Sequence, residues 1–240
     1  MRGREKSYKR QKKKMEQENV FAEGKLLLID KPLRWTSFDA VRKIRNLIRI
    51  KKVGHAGTLD PLATGLLIVC TGKFTKRINE YMAQEKEYTG TITLGATTPT
   101  YDLESEPTDF KPFDHFDIDQ LRQATASFTG PIMQTPPIHS AIKKEGQRVY
   151  ELARRGVDVK LEPRPVTISE FEITKVTMPE VEFRVVCSTG TYIRSLANDY
   201  GASLGCGGYL SSLRRTRIGS FRVEDAMSME EFERSIQMQK

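Results

Sequence analysis

Short apolar blocks, separated by turn residues and charge, lay the chain out as alternating strands and helices. Leu26-Leu27-Leu28-Ile29-Asp30 reads as a short strand stopped by Lys31-Pro32. Leu66 to Val69 is an unbroken apolar run whose length and β-branched members suit a buried strand. Tyr88 to Leu94 sets Tyr, Gly, Ile and Leu on one face and Thr89, Thr91 and Thr93 on the other, the alternation of an antiparallel strand. Val166 to Val176 and Val181 to Cys187, rich in β-branched residues, form a hairpin turning near Pro179. Helical spacing predicts a helix capped by Thr36 or Ser37 with Phe38, Val41, Ile44 and Ile48 inward. A second helix is predicted over 73–84, with Phe74, Ile78, Tyr81 and Met82 on one side, and a third from Ile118 through Leu121, Thr125 and Phe128 to about Gly130. Thr191 to Leu204 is a helix ended by Gly205, Tyr150 to Arg155 a short one stopped by Gly156, and Ser228 with Glu231 a capping box for the last. With neither an internal repeat nor a linker between equal halves, a single α+β domain over 21–240 is expected.

Charge changes this picture in three places. Residues 1–14 hold eight Lys or Arg against Glu5 alone, so they carry +7 of the net +8 and leave +1 for the rest. Such a head, taken as residues 1–20, is expected to be disordered and solvated, and attracts polyanions only nonspecifically. The segment 102–119 is acidic and is expected to face away from nucleic acid. From Pro131 to Gly156 the chain is first proline-rich and then basic, which reads as an insertion over about 131–160. The polar side of the first helix, with Arg42, Lys43, Arg45 and Arg49 running into Lys51 and Lys52, is a candidate for phosphate contact.

Composition narrows the class. The chain has 240 residues, 38% of them hydrophobic and 29% charged, enough length for a sizeable core. No apolar run reaches the ~18 residues of a membrane span, and no apolar core follows the basic head, which argues against a secretory signal. Cys70, Cys187 and Cys206 are odd in number and form no CxxC pair, so neither a disulfide scaffold nor a zinc site is expected, and a cytoplasmic protein is.

The candidate chemistry lies between Lys52 and Gly72. Gly54 and Gly57 permit tight bending and close approach to a ligand. Asp60 then stands as a lone carboxylate before Pro61, on a loop feeding the Leu66 strand. Loops held by a rigid scaffold are where catalytic groups collect, but Asp-Pro also simply initiates turns, and local chemistry favours neither reading. Gly72-Lys73 is not a phosphate-binding P-loop: Gly65 lies too far upstream and Phe74 takes the hydroxyl position.

Gly54-His55-Ala56-Gly57-Thr58-Leu59-Asp60-Pro61-Leu62-Ala63-Thr64-Gly65 resembles the signature of the TruB family of tRNA pseudouridine synthases, and the resemblance extends from about Leu26 to Phe221. It implies a pseudouridine synthase fold: a central, mixed and mainly antiparallel sheet flanked by helices, with an RNA-gripping thumb. It implies conversion of uridine 55 in the TΨC loop of tRNA to pseudouridine, with no metal or other cofactor. Asp60 is then the catalytic carboxylate. Arg194, in Gly190-Thr191-Tyr192-Ile193-Arg194, matches the arginine that pairs with it, and Tyr192 a pocket wall. Tyr88 matches the tyrosine stacking on the target uracil, Leu213 an apolar pocket residue, and His55 the histidine that fills the gap left by a flipped base. Lys31-Pro32 resembles an element that packs near the active site. Lys143, Lys144, Arg148, Arg154 and Arg155 of the thumb, with Lys52, Arg214 and Arg215, are the expected RNA-backbone contacts.

Two departures accompany the resemblance: the C-terminal PUA domain of many members is not expected here, and the lysine-rich head is outside the family core. The expected partner is the tRNA TΨC stem-loop, bound by a monomer with no membrane and no obligate protein partner. A guide-RNA-dependent relative of the dyskerin type and a non-catalytic RNA chaperone are the alternatives.

Overall fold

The computed structural model describes residues 20–138, 140, 143–144, 147–148 and 161–238. In chain order the strands are β1 Leu26–Lys31, β2 Val53–His55, β3 Ala63–Thr71, β4 Lys86–Leu94, β5 Gly130–Gln134, β6 Lys143–Lys144, β7 Gln147–Arg148, β8 Arg164–Thr177, β9 Glu180–Cys187, β10 Gly208–Ile218, β11 Phe221–Arg222 and β12 Met227–Ser228. The α-helices are α1 Val20–Glu23, α2 Ser37–Ile48, α3 Ile78–Met82, α4 Ile118–Ala124, α5 Ile193–Ser203 and α6 Met229–Gln237. The described residues divide into two compact units, one within 1–84 and 215–240 and one within 85–214.

In the first unit β1 runs antiparallel to β3 and parallel to β12, β2 lies antiparallel along β3, and the end of β10 is the other neighbour of β3. The unbroken run in β3 is explained by layers on both of its faces. Leu67 and Val69 join Leu27 and Ile29 beneath α2 and α6, where Val41, Ile44 and Phe232 pack. Leu66, Ile68 and Cys70 turn the other way, onto Tyr81, Ile218 and Val223. Each fully buried aliphatic side chain contributes about 1.5–3 kcal/mol, so both faces hold β3 in register. Helix α2 starts at a capping box between Thr36 and Asp39, and α6 at one between Ser228 and Glu231.

The second unit is a largely antiparallel sheet in which β4 and β5, successive in the chain, lie apart. β4 pairs antiparallel with β9, β9 with β8 and β8 with β5, and the start of β10 lies beside β4. Phe128, Phe171, Phe183 and Tyr200 meet edge to face at centroid distances of 5.5–6.5 Å, fixing α5 over the sheet. Gly201 brings α5 against β10: a Cβ there would run into the backbone of Gly207 and Gly208.

Several elements differ from the sequence reading. The helix over 73–84 is a 3-10 helix, Gly72–Arg77, followed by the single-turn α3, and the helix to Phe128 likewise ends in a 3-10 turn after Ala124. Phe38, expected on the inner face of α2, is 60% exposed. Strands β5, β10 and β12 did not stand out: β5 carries Pro131 at a sheet edge, where proline is tolerated, and β10 mixes polar and basic residues with its apolar ones. β5 fills the first positions of the expected insertion, and 150–155 lie outside the described residues. Among the described residues no helix is long and apolar enough to cross a membrane.

Candidate active site

In the first unit the loop between β2 and β3 presents Asp60, and the backbone on either side of it is tied down. Ala56 N–H donates to Ile68 O at 2.9 Å, and Leu59 N–H to Ser37 Oγ at 2.9 Å, while that hydroxyl donates back to Leu59 O at 3.2 Å. Beyond the carboxylate, Pro61 O accepts from Arg34 N–H at 2.8 Å, and Ala63 N–H donates to Asp60 O at 3.0 Å. The first residue of α2 and the turn before it therefore clamp the loop, and the half-buried carboxylate has little freedom to wander.

Two buried cations lie in the same unit. Arg215 is only 1% exposed; its Nε donates to Leu66 O at 2.8 Å and its Nη2 to Gly57 O at 3.1 Å. It was expected to contact RNA backbone, and its burial corrects that: it staples the Asp60 loop to β3. Gly65, at φ +101°, allows the approach, since a Cβ there would strike the Arg215 backbone. Lys31 is fully buried, and its Nζ donates to Trp35 O at 2.6 Å and to Pro32 O at 3.0 Å. Burial pulls its pKa down to about 8, opposed by the negative charge of Asp60 and reinforced by Arg215. His55 lies half-buried in β2 opposite Val69. Desolvation first, then the Arg215 charge, push its pKa below the usual histidine value, which keeps the ring neutral at pH 7.

In the second unit Tyr88 is a buried residue of β4, paired with Val185. Arg194 opens α5 and is also buried; its Nη1 donates to Thr100 O at 3.3 Å, and its Nε lies 3.6 Å from Asp102 Oδ2. Asp102, the first residue of the acidic segment expected to face away from nucleic acid, is 3% exposed and also accepts from Glu104 N–H at 3.0 Å. An isolated charge buried so deeply would cost several kcal/mol, so the two ions compensate each other. Tyr192 is the N-cap residue of α5 and is bracketed by Gln134, which accepts from its N–H at 2.8 Å and donates to its carbonyl at 3.0 Å. Ser195 Oγ adds a bond to Thr135 O at 2.8 Å. Leu213 and Arg214 are half-buried in β10.

Asp102 and Gln134 are the residues the sequence did not single out. An acid in an acidic segment and a glutamine beside prolines carry no local sign of turning inward; each is recruited by α5, which is remote in sequence.

Of the other expected RNA contacts, Lys52 is exposed at the entry to β2. Lys143, Lys144 and Arg148 belong to the β6–β7 hairpin, with Lys143 opposite Arg148. Their side chains, like Arg154 and Arg155, lie outside the described residues. The basic side of α2 is partly neutralised, Arg42 by Asp39 and Lys43 by Glu233, each at 2.8 Å. Exposed pairs of this kind contribute about 0–1 kcal/mol. Among the described residues no group of three or more His, Cys, Asp or Glu is placed to hold a metal ion.

The model of the N-terminal domain of TruB family pseudouridylate synthases matches residues 45–193, and that of the tRNA pseudouridylate synthase B C-terminal domain matches residues 194–240. A tRNA pseudouridine synthase B of Flavobacterium johnsoniae is 54% identical over 224 residues, 90% of this chain and 98% of that protein. One from Phocaeicola vulgatus is 51% identical over 88% of this chain and 93% of its own. Among solved structures, a chain of a Cbf5-Nop10-Gar1 complex superposes with a TM-score of 0.69 at 29% identity, and a chain of an H/ACA RNP bound to a substrate RNA containing 2'-deoxyuridine with 0.67 at 26%. This chain spans 54% of the length of each of those two.

Proposed function

The chain belongs to the TruB family of pseudouridine synthases, and on that premise we propose that it isomerises uridine 55 in the TΨC loop of tRNA. It does so as a single chain in the cytoplasm, with neither guide RNA nor partner protein. The observation that carries this reading is Asp60, held on a loop bonded to the fold on both sides within the matched family motif.

The reaction breaks the bond between uracil N1 and ribose C1′, turns the detached base, and joins C5 to C1′. The C5 proton leaves and N1 gains one, so the product is an isomer and nothing is oxidised. One ionised carboxylate serves such a reaction, as a nucleophile or as a base. Asp60 takes that role. Tyr88, Tyr192, Arg194 and Leu213 serve the base pocket, and neutral His55 fills the stack from which the uridine has swung. Swinging it out costs a few kcal/mol, of which stacking on an aromatic ring returns about 1–3 kcal/mol.

Incubating an unmodified tRNA transcript with the purified protein alone, and mapping pseudouridine by position, tests this. Modification at position 55 is expected. Modification elsewhere, or only after guide RNA is added, would overturn the assignment of substrate.

A further inference from the structure

The backbone of the turn from β1 into α2, residues 32–36, helps clamp the Asp60 loop, but its side chains at Leu33 and Arg34 have no task in the chemistry above. Arg34 adopts φ 65° there, left-handed backbone in which glycine would sit without strain. A long cationic side chain is kept in its place, exposed and with no carboxylate partner among the described residues. Leu33 and Phe38 flank it at 53% and 60% exposed, and the Arg42 guanidinium lies 6.0 Å from the centre of the Phe38 ring. Alongside opens a shallow cleft of about 310 Å³ lined by Arg34, Trp35, Asp39, Arg42, Lys43 and Asn46.

The exposed Phe38 ring beside the exposed Leu33 calls for a flat apolar occupant, and Arg34, Arg42 and Lys43 against Asp39 and Glu233 leave one positive charge, that of Arg34, to call for an anionic one. A looped RNA strand meets both demands at once, with bases to stack and phosphates to pair. The Arg42 side chain is exposed, and a surface pair such as Arg42–Asp39 contributes only about 0–1 kcal/mol, little enough for a phosphate to displace it. The turn is also fixed relative to the reacting carboxylate: Arg34 N–H donates to Pro61 O at 2.8 Å, and Lys31 Nζ binds the carbonyls of Pro32 and Trp35. A strand laid on it is thereby held at a set distance from Asp60.

We propose that Leu33, Arg34, Phe38 and Arg42 form an RNA-contact site for nucleotides flanking the target uridine, with a base on Phe38 and phosphates on the two arginines. This rests on the reading of the chain as an RNA-modifying enzyme.

Arg34→Gly and Phe38→Ala test it by filter binding of an unmodified tRNA transcript across a salt series. Arg34→Gly relieves the backbone, so its thermal midpoint should equal or exceed that of the wild type. Its plot of log affinity against log salt should flatten by about 0.7–0.9, the contribution of one phosphate contact. Phe38→Ala should bind about tenfold more weakly. Folded variants that both bind with wild-type affinity and salt slope overturn the site. Pseudouridine formation by the wild type is scored on the same RNA. A wild type that forms none, while the variants lose affinity, overturns the assigned reaction and supports the contact. A wild type that forms it, while both variants bind normally, overturns the contact alone.

Discussion

Lys31 shows how much a single side chain can be asked to carry. It is fully buried, bonds two carbonyls of the following turn, and faces the charge of Asp60. Because burial lowers its pKa to about 8 from the 10.5 of a free lysine, the unfolded chain holds more protons than the fold between those values. Stability linked to this group therefore rises with pH from about 8 to about 10.5. Urea denaturation of wild type and Lys31→Met at pH 7.5 and at pH 10 should show the wild type gaining about 2 kcal/mol relative to the variant. An unchanged difference would mean that Lys31 titrates normally. Asp60 and His55 stand out in the sequence as candidates because they sit inside one contiguous motif. From its own chemistry Lys31 reads as a strand stop, since a lysine after Ile29-Asp30 looks like the end of burial and not its continuation; only the family resemblance set it near the active site.

At the scale of elements, period and capping were reliable where an element makes its own case. The Thr36 and Ser228 capping boxes mark the starts of α2 and α6, and the alternation in 88–94 marks β4. Legibility failed where tertiary contacts decide. β10 carries inward-facing Arg215 amid basic residues, so it reads as a surface cluster, although that arginine is the staple of the Asp60 loop. Its partner position is Gly65, and Gly65→Ala places a Cβ in left-handed backbone and against the Arg215 main chain. A loss of about 2–4 kcal/mol is expected in denaturant unfolding, with loss of turnover wherever the loop shifts. A variant as stable as the wild type would show that β3 and β10 can part here without consequence.

For the whole molecule, the charge distribution separates attraction from positioning. Most of the net +8 belongs to the first fourteen residues, so the rest of the chain must hold RNA by local clusters. Deleting residues 1–14 should spare turnover at low salt and reduce the salt dependence of tRNA binding. An inactive truncated protein would place the head within the working enzyme. The fold class could be read from the sequence, because strand and helix periods persist through most of it. The inward turn of Asp102 and the bracing of α5 by Gln134 could not, because each depends on a neighbour distant in the chain.

The proposed role of Asp60 in the isomerisation is tested by single-turnover tritium release from C5 of labelled uridine in an unmodified tRNA transcript, run with wild type and with Asp60→Asn. Wild type should release label from position 55. The variant should fold normally and bind the same RNA within about threefold, yet release label at least ~10³-fold more slowly, because the reacting carboxylate is gone. Release by Asp60→Asn at the wild-type rate would contradict the account and return Asp60 to the role of a turn residue.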